Sequence, residues 1–468
     1  MRPLSLAEIV EATSAKPIGV ALVDNTPLVS GVSTDSRQVQ TGDLFVAMRG
    51  GRTDGHQYLQ EVFERGAVCA LVEYVPIGAE GMPLLKVPST VRALGDLARY
   101  YRRKLGTRVI GITGSTGKTS TKEMVAVALE SHYRGKVWRS GGNYNTEIGV
   151  PLTLLELEPH HELLVQEMAM RGLGQIAYLA EIAEPEVGVI TQIGWAHLEM
   201  VGGRDGIAQA KSELVHALPE TGIAILPRDD RYYEFLRTRC TCSKIYTFGR
   251  HPEANARLIE TQLYPDRTEG TILIQLEPES QSVRVFVRLP YLGEHMLMNA
   301  TCALLVAVVM GGDPIRSAGA LEHVQLPEMR MSIQSQRGGW TLINDAYNAN
   351  PDSMRSALEV LVRQVPARRR IAVLGDMKEL GNYSMRLHWQ LGRWLATLPL
   401  DYLLLVGTEV LWTAAAAKEG GFPAHRLLHF ETPAHAGEWL MNHVQQGDWV
   451  LLKGSRAIGL EQILNMTV

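Results

Sequence analysis

Cysteine is scarce, at four residues in a chain of 468: Cys69, Cys240, Cys242 and Cys302. They include one Cys-Thr-Cys and no C-x-x-C pair, and a chain of this length needs no disulfide staples, so a reducing cytoplasmic setting is expected. Long hydrophobic runs are also missing. "MRPLSLAEIVEATSAKPIG" lacks the continuous apolar core of a signal peptide, and the apolar run after Thr301 ends at Gly311, short of the roughly 20 residues that span a bilayer. Membrane insertion is therefore not expected. Nor is there an excess of positive charge, since 46 Lys+Arg stand against 50 Asp+Glu. The one basic run, "ARRR" at Ala367 to Arg370, lies between a helical pattern and the strand-like "IAVLG" and reads as a linker. General nucleic-acid binding is thereby excluded. No repeat recurs at a fixed period.

What is present is an ordinary globular composition, 46% hydrophobic and 21% charged, with length for roughly three domains. Residues 1–105 mix short apolar runs ("DLFVAM", "AVCALVEY") with two helical patterns and read as a small α/β domain. From 106 to 325, strands and helices alternate and the strands are almost continuously apolar, which predicts a mostly parallel sheet covered on both faces. Within this stretch, Ala256 to Leu289 alternates as antiparallel strands do, ahead of a helix from about Met296 to Met310. Residues 326–468 carry strands "WTLINDAY", "RIAVLG", "DYLLLVG" and "DWVLLKGS" with helical segments between, a Rossmann-like α/β unit. Ligands of such sheets gather at the carboxyl ends of the strands.

The chemistry starts at "RVIGITGSTGKTSTKEM". A standard phosphate loop is G-x-x-x-x-G-K-[ST], and here Ile112 stands where its first glycine belongs. Gly114, Ser115, Thr116, Gly117, Lys118, Thr119 and Ser120 still run from a strand into a helix, so backbone N–H groups and the helix N-terminus can face an anion. Lys118 would bring charge to terminal phosphates and Thr119 a hydroxyl to magnesium. Glu167 ends an apolar strand, as a metal ligand or a solvated strand end would. His197 follows another such strand, and a lone histidine there is more often structural. Lys211, on "GIAQAKSELVHAL", reads by itself as a surface helix lysine.

In the last unit, "LINDAYNANPDSM" gathers Asp345, Asn348 and Asn350 around a turn, with Asn350 and Pro351 placed to cap a helix. Arg330 is a candidate contact for an anionic ligand. In the first unit, Ser33, Asp35, Ser36 and Arg37 lie in a polar loop that could cradle a diphosphate or could be only a loop.

Taken together, "STDSR…GDLFVAMRG…DGH", "GITGSTGKTSTKEM", "GNYNTEIGVPLTLL", "QEMAMRGLGQIA", "AHLEMVGGRDGIAQAKSEL", "NDAYNANPDSM", "VLGDMKELG" and "KGSR" resemble the Mur ligases, in that order and over nearly the whole chain. The family's phosphate loop has the same shortened glycine pattern. The resemblance implies a UDP-muramoyl-peptide domain at 1–105, a P-loop ATP domain at 106–325 and a ligase domain at 326–468. It implies that Lys118 and Thr119 serve ATP phosphate and magnesium, and that Glu167 and His197 are ligands to two Mg2+ ions. Lys211 matches a lysine the family carbamylates from CO2, which would turn a repelled ammonium into an anionic oxygen ligand. Asn299, Arg330 and Asp345 match nucleotide contacts. Ser33, Asp35, Ser36 and Arg37 match a UDP loop, and Asn145 and Thr146 the segment facing the sugar nucleotide; Asn348 and Asn350 are weaker candidates for the peptide. Where the family often has His-Asn, this chain has His295-Met296, so a side-chain amide contact at 296 is not expected.

The activity so implied is ATP-dependent joining of D-alanyl-D-alanine to UDP-N-acetylmuramoyl-tripeptide through an acyl phosphate, by a cytoplasmic monomer. Rival readings are a ligase adding the third peptide residue, whose diaminopimelate-using form carries a "DNPR" string absent here, and a folylpolyglutamate synthetase, which would lack the first domain's loop. A nucleotide-binding regulatory protein derived from the family is a third; keeping Lys118, Glu167, His197 and Lys211 together argues against it.

Overall fold

The computed structural model describes residues 1–22, 27–51, 53–364 and 367–466, organised around three sheets. The first has five strands in the order Lys16–Ile18, Leu84–Lys86, Cys69–Val72, Asp43–Val46, Gly31–Ser33. All pair in parallel except the edge strand Lys16–Ile18. The helix Thr90–Leu105 closes this unit, with Ser89 accepting from the Arg92 N–H at its start and Gly106 left-handed at its end. Tyr101 on that helix is fully buried, and its hydroxyl donates to the Leu157 carbonyl at 2.7 Å, which bolts the first unit to the second.

The second sheet has nine strands: Val283–Leu289, Thr268–Ile274, Ala256–Leu263, Lys244–Gly249, Ile223–Pro227, Val187–Ile190, Arg108–Thr113, Leu163–Glu167, Val137–Arg139. It is parallel up to Ala256–Leu263, and the two outermost strands beyond that one add on as antiparallel hairpins, as the alternating pattern predicts. The chain fills one side of Arg108–Thr113 before crossing to the other. That crossing opens a crevice at the strands' carboxyl ends. Helix Lys118–Glu130 packs against helix Glu294–Val309, and both are buried over most of their surface. A helix enclosed on all sides shows no polar stripe, which is why the second reads in the sequence as a plain apolar run.

The third sheet has six strands: Ser332–Ser335, Thr341–Asn344, Trp449–Lys453, Arg370–Gly375, Tyr402–Val406, Leu427–Phe430. Only Ser332–Ser335 is antiparallel. Several strands are not foreseen from the sequence, Lys244–Gly249 and Leu427–Phe430 among them. Both are short or interrupted by polar residues, and parallel pairing to Ile223–Pro227 and to Leu403–Val406 makes them strands. In "ARRR", Arg369 is structural, paired to the buried Asp448. No helix of the described residues is long and apolar enough to cross a membrane.

Candidate active site

The phosphate loop leaves the central strand at Thr113 and enters its helix at Lys118. Two glycines make that turn. Gly114 has φ 153°, and a Cβ there would lie 1.8 Å from Thr191 Oγ1; Gly117 has φ 78°, and its Cβ would lie 2.7 Å from Asn299 Oδ1. The next strand's exit braces the loop: the Ser115 N–H donates to the Gln192 carbonyl at 2.8 Å, Thr116 Oγ1 to Gln192 Oε1 at 2.6 Å, and Thr191 Oγ1 to the Thr116 carbonyl at 2.6 Å. No side chain caps the helix, so its first N–H groups stay open to an anion. Lys118 folds back to donate to the Gly114 carbonyl at 2.8 Å.

Behind the loop, Glu167 is 4% exposed at its strand end. Its Oε2 accepts from Thr119 Oγ1 at 2.6 Å and its Oε1 from Asn145 Nδ2 at 2.7 Å. A buried carboxylate with a hydroxyl and an amide turned to it is a cation seat. Lys211 is 1% exposed, and among the described residues its ammonium makes no hydrogen bond or ion pair. Burial lowers its pKa well below the usual lysine value, the nearby Lys118 lowers it further, and Glu167 opposes both. The expectation of a surface lysine fails, and the sequence held the signal: on helix Arg204–His216, Lys211 shares the inward stripe with Ile207, Ala208, Leu214 and Val215.

His197 adopts the left-handed conformation, φ 61°. Its Nδ1 lies 2.6 Å from Glu379 Oε2 of the third unit, a close contact without the angles of a good hydrogen bond. The Glu379 carbonyl accepts from the Glu199 N–H at 3.2 Å, and His197 holds the Glu379 carboxyl below the usual carboxylate range against its burial. Among the described residues no three His, Cys, Asp or Glu side chains form a ready-made metal cage.

The third unit contributes from the carboxyl ends of its parallel strands. Asp345 follows Thr341–Asn344, and Lys453 ends the neighbouring strand. Lys453, 2% exposed, reaches Asp345 Oδ2 at 2.5 Å and the Asn348 carbonyl at 3.0 Å. Asp345 Oδ1 accepts from the Met331 N–H at 3.1 Å. Arg330 stands between the left-handed Met329 and Met331, its guanidinium 4.1 Å above the Tyr347 ring and its Nε buried without a partner. Asn350 caps its helix as predicted, accepting from the Ser353 N–H at 2.9 Å. That use occupies its amide oxygen; the Asn348 side chain is exposed. His295 is pushed down to about 4 by burial, with Asp345 opposing.

These groups, apart from the buried Lys211, line one cleft of about 910 Å³ between the second and third units. It takes in Ser115 to Ser120, Asn145, Thr146, Glu167, His197, Asn299, Arg330, Asp345, Asn348 and Asn350. Met296 is there too, with its Sδ 4.0 Å from Asn299 Nδ2. Ser33, Asp35, Ser36 and Arg37 are not on this cleft. Asp35 accepts three hydrogen bonds from Arg37, one from its backbone N–H and two from its guanidinium, and that loop follows the strand Gly31–Ser33, which touches helix Gly149–Leu155 just beyond Asn145 and Thr146. Sequence reasoning overlooks Arg171, Lys378, Glu379 and Lys453. All four stand inside the quoted strings, but nothing local marks them as cleft residues.

A phosphate loop backed by a buried carboxylate and a buried lysine, facing a second α/β unit across a cleft, defines a nucleotide-dependent ligase of the Mur type. The chain matches the Mur ligase family catalytic domain over residues 28–102, the Mur ligase middle domain over 112–307 and the Mur ligase glutamate ligase domain over 329–456. It belongs to the Mur ligase family. It is 33% identical, over 98% of its length and 96% of the other, to the UDP-N-acetylmuramoyl-tripeptide–D-alanyl-D-alanine ligase of Bacillus subtilis. Among solved structures, it resembles UDP-N-acetylmuramoylalanyl-D-glutamyl-2,6-diaminopimelate–D-alanyl-D-alanyl ligase of Acinetobacter baumannii, with TM-score 0.85, 34% identity and coverage of 99% and 98%. It also resembles MurF of Thermotoga maritima in complex with ADP, with TM-score 0.82, 30% identity and coverage of 93% and 96%.

Proposed function

We propose that this chain joins D-alanyl-D-alanine to UDP-N-acetylmuramoyl-tripeptide with conversion of ATP to ADP and phosphate. The observation that carries the reading is the convergence of Lys118, Glu167 and the His197–Glu379 contact at one end of a cleft whose other wall holds Asp345 and Lys453, with Lys211 buried and electrostatically coupled to Lys118 and Glu167. Full-length likeness to relatives with that named activity agrees with it. A carboxylate is a poor acyl donor because its leaving group would be oxide. Phosphorylation replaces that group with phosphate. The tripeptide's terminal carboxylate attacks the γ-phosphorus and ADP leaves; the amine of the dipeptide then adds to the acyl phosphate, phosphate departs and the amine's proton is lost.

In this scheme the loop N–H groups and Lys118 hold the phosphates, and Arg330 and Asp345 reach the nucleotide from the third unit. Asn299, behind Gly117, faces the base side. The oxygen donors of Thr119 and Glu167 fit magnesium; in the family reading His197 joins them and two ions would neutralise phosphate oxygens. Lys211 fits carbamylation: burial favours its neutral amine, which can add to CO2 with loss of a proton and so become an anionic oxygen ligand whose charge a neighbouring cation would balance. Asn145 and Thr146, with Ser33, Asp35, Ser36 and Arg37 beyond them, form the sugar-nucleotide side. Closure of the third unit onto the second excludes water that would hydrolyse the acyl phosphate.

The test is ADP release by the purified protein. Release requires both the UDP-muramoyl tripeptide and D-alanyl-D-alanine, and equal release with a free amino acid in place of the dipeptide would refute the assignment.

A further inference from the structure

Six lysine and arginine side chains line the cleft: Lys118, Arg171, Arg330, Lys378, Lys453 and Arg456. Five are already engaged. Lys118 donates to the Gly114 carbonyl, Arg330 stacks on Tyr347, Lys378 bridges Asp376 and Glu409, Lys453 holds Asp345, and Arg456 pairs with Glu461. Arg171 differs: among the described residues its guanidinium makes no hydrogen bond, ion pair or ring contact, and it is exposed at the lip of the cleft. Glu379 of the third unit lines the same cleft.

The backbone beneath Arg171 is held in place. The N–H groups of Arg171 and Gly172 both donate to Gln175 Oε1, at 2.6 and 3.2 Å. Those of Gly174 and Ala177 donate to the carboxylate of Glu213, at 2.7 and 3.0 Å. Glu213 stands two residues beyond Lys211 on the same helix, so the loop with the free guanidinium is tied to the helix behind the reaction centre. A cation on a fixed backbone with no partner to give up is suited to bind an anion.

Position decides which anion. On the ligase reading, the tripeptide comes from the Asn145–Thr146 side and its terminal carboxylate meets the phosphates held by Lys118, beside the strand that ends at Glu167. Arg171 is four residues past Glu167, on the loop leaving the same strand end, so it borders the residue that reacts rather than those before it. A lysine there would bring an ammonium against the guanidinium. A diamino-dicarboxylic acid brings a carboxylate for the guanidinium fork and an ammonium for the Glu379 carboxylate alongside.

We propose that Arg171 binds the side-chain carboxylate of the tripeptide's third residue, selecting diaminopimelate over lysine. The inference rests on the ligase reading above. It is tested with full-length protein and two UDP-muramoyl tripeptides, ending in diaminopimelate or lysine, by initial rates of ADP release at saturating ATP and D-alanyl-D-alanine. In the wild type, KM for the diaminopimelate form is lower by about tenfold or more. Arg171→Ala raises that KM by a similar factor, leaves kcat within about twofold, and leaves the KM values for ATP and for the lysine form unchanged. Arg171→Lys recovers part of the loss, and Arg171→Glu reverses the preference. An equal rise for both tripeptides would mean Arg171 reads a group they share, and that result, or no rise at all, overturns the proposal while leaving the ligase reading intact. Failure of the wild type to turn over either tripeptide overturns the ligase reading, and this one with it.

Discussion

Adding one methyl group at Gly194 should separate the second and third units without harming either. A Cβ at Gly194 would lie 2.1 Å from Asp352 Oδ2 and 3.2 Å from Ser115 Cβ. Asp352 belongs to the first turn of helix Pro351–Val362 in the third unit, and the same Oδ2 accepts from the Trp195 N–H at 3.1 Å. Gly194 cannot yield, because its own N–H donates to Ser115 Oγ at 2.9 Å in the phosphate loop. Its φ is not in the left-handed region, so alanine brings no backbone strain of its own. Asp352 must therefore withdraw by more than 1 Å to reach ordinary contact, and the Trp195 bond is lost. A hydrogen bond to a charged acceptor is worth about 1.5–3 kcal/mol, equivalent to about tenfold to hundredfold in docking. If docking precedes chemistry, kcat/KM for ATP falls by that factor while the thermal midpoint moves little. The assay is a double-mutant cycle with Asp352→Ala, in which Gly194→Ala should cost far less once the carboxylate is gone. Wild-type kcat/KM for Gly194→Ala, or the same cost in both backgrounds, would refute the reasoning.

Gly114→Ala places a Cβ 1.8 Å from Thr191 Oγ1 at φ 153°, so it should cost roughly 2 kcal/mol or more in urea unfolding and abolish ATP binding. Lys211→Ala should be inactive and partly rescued by short carboxylic acids that replace the carbamate; no rescue, with wild-type mass spectra free of a carbamate under bicarbonate, would count against that role. His295, lowered from the usual 6.5 to about 4 by burial, with Asp345 and Glu294 opposing and Lys453 reinforcing, gives a pH signature. Between those values the unfolded chain binds a proton that the folded chain refuses, so stability is full above 6.5 and is lost as pH falls towards 4, by on the order of 2–3 kcal/mol. His295→Gln should flatten that slope in urea titrations; an unchanged slope would assign it to other groups.

The local features of this chain were legible because they depend on neighbours in sequence. Near-continuous apolar strands predict a parallel sheet, the alternation of 256–289 predicts its antiparallel edge, and Asn350-Pro351 predicts a helix start that the structure displays. The phosphate loop is equally local, since a strand, two glycines with forced conformations and a helix N-terminus lie within a few residues of one another. Lys244–Gly249 and Leu427–Phe430 were missed because they become strands by pairing with partners already in the sheet, and pairing leaves little trace in a short segment.

The sequence by itself determined which chemical groups are available and the order of the elements that carry them, because hydrophobic periodicity and turn residues act over a few positions. Tertiary structure alone decided how those groups are used. Lys453 finds Asp345 across 108 positions, and Glu379 finds His197 across the boundary between two units. Lys211 is an unpaired buried amine because its helix packs against the central sheet, and Arg171 is the cleft lysine or arginine left without a partner among the described residues. Charge and burial depend on distance in space, and the chain's own order does not encode that distance until the three sheets have packed.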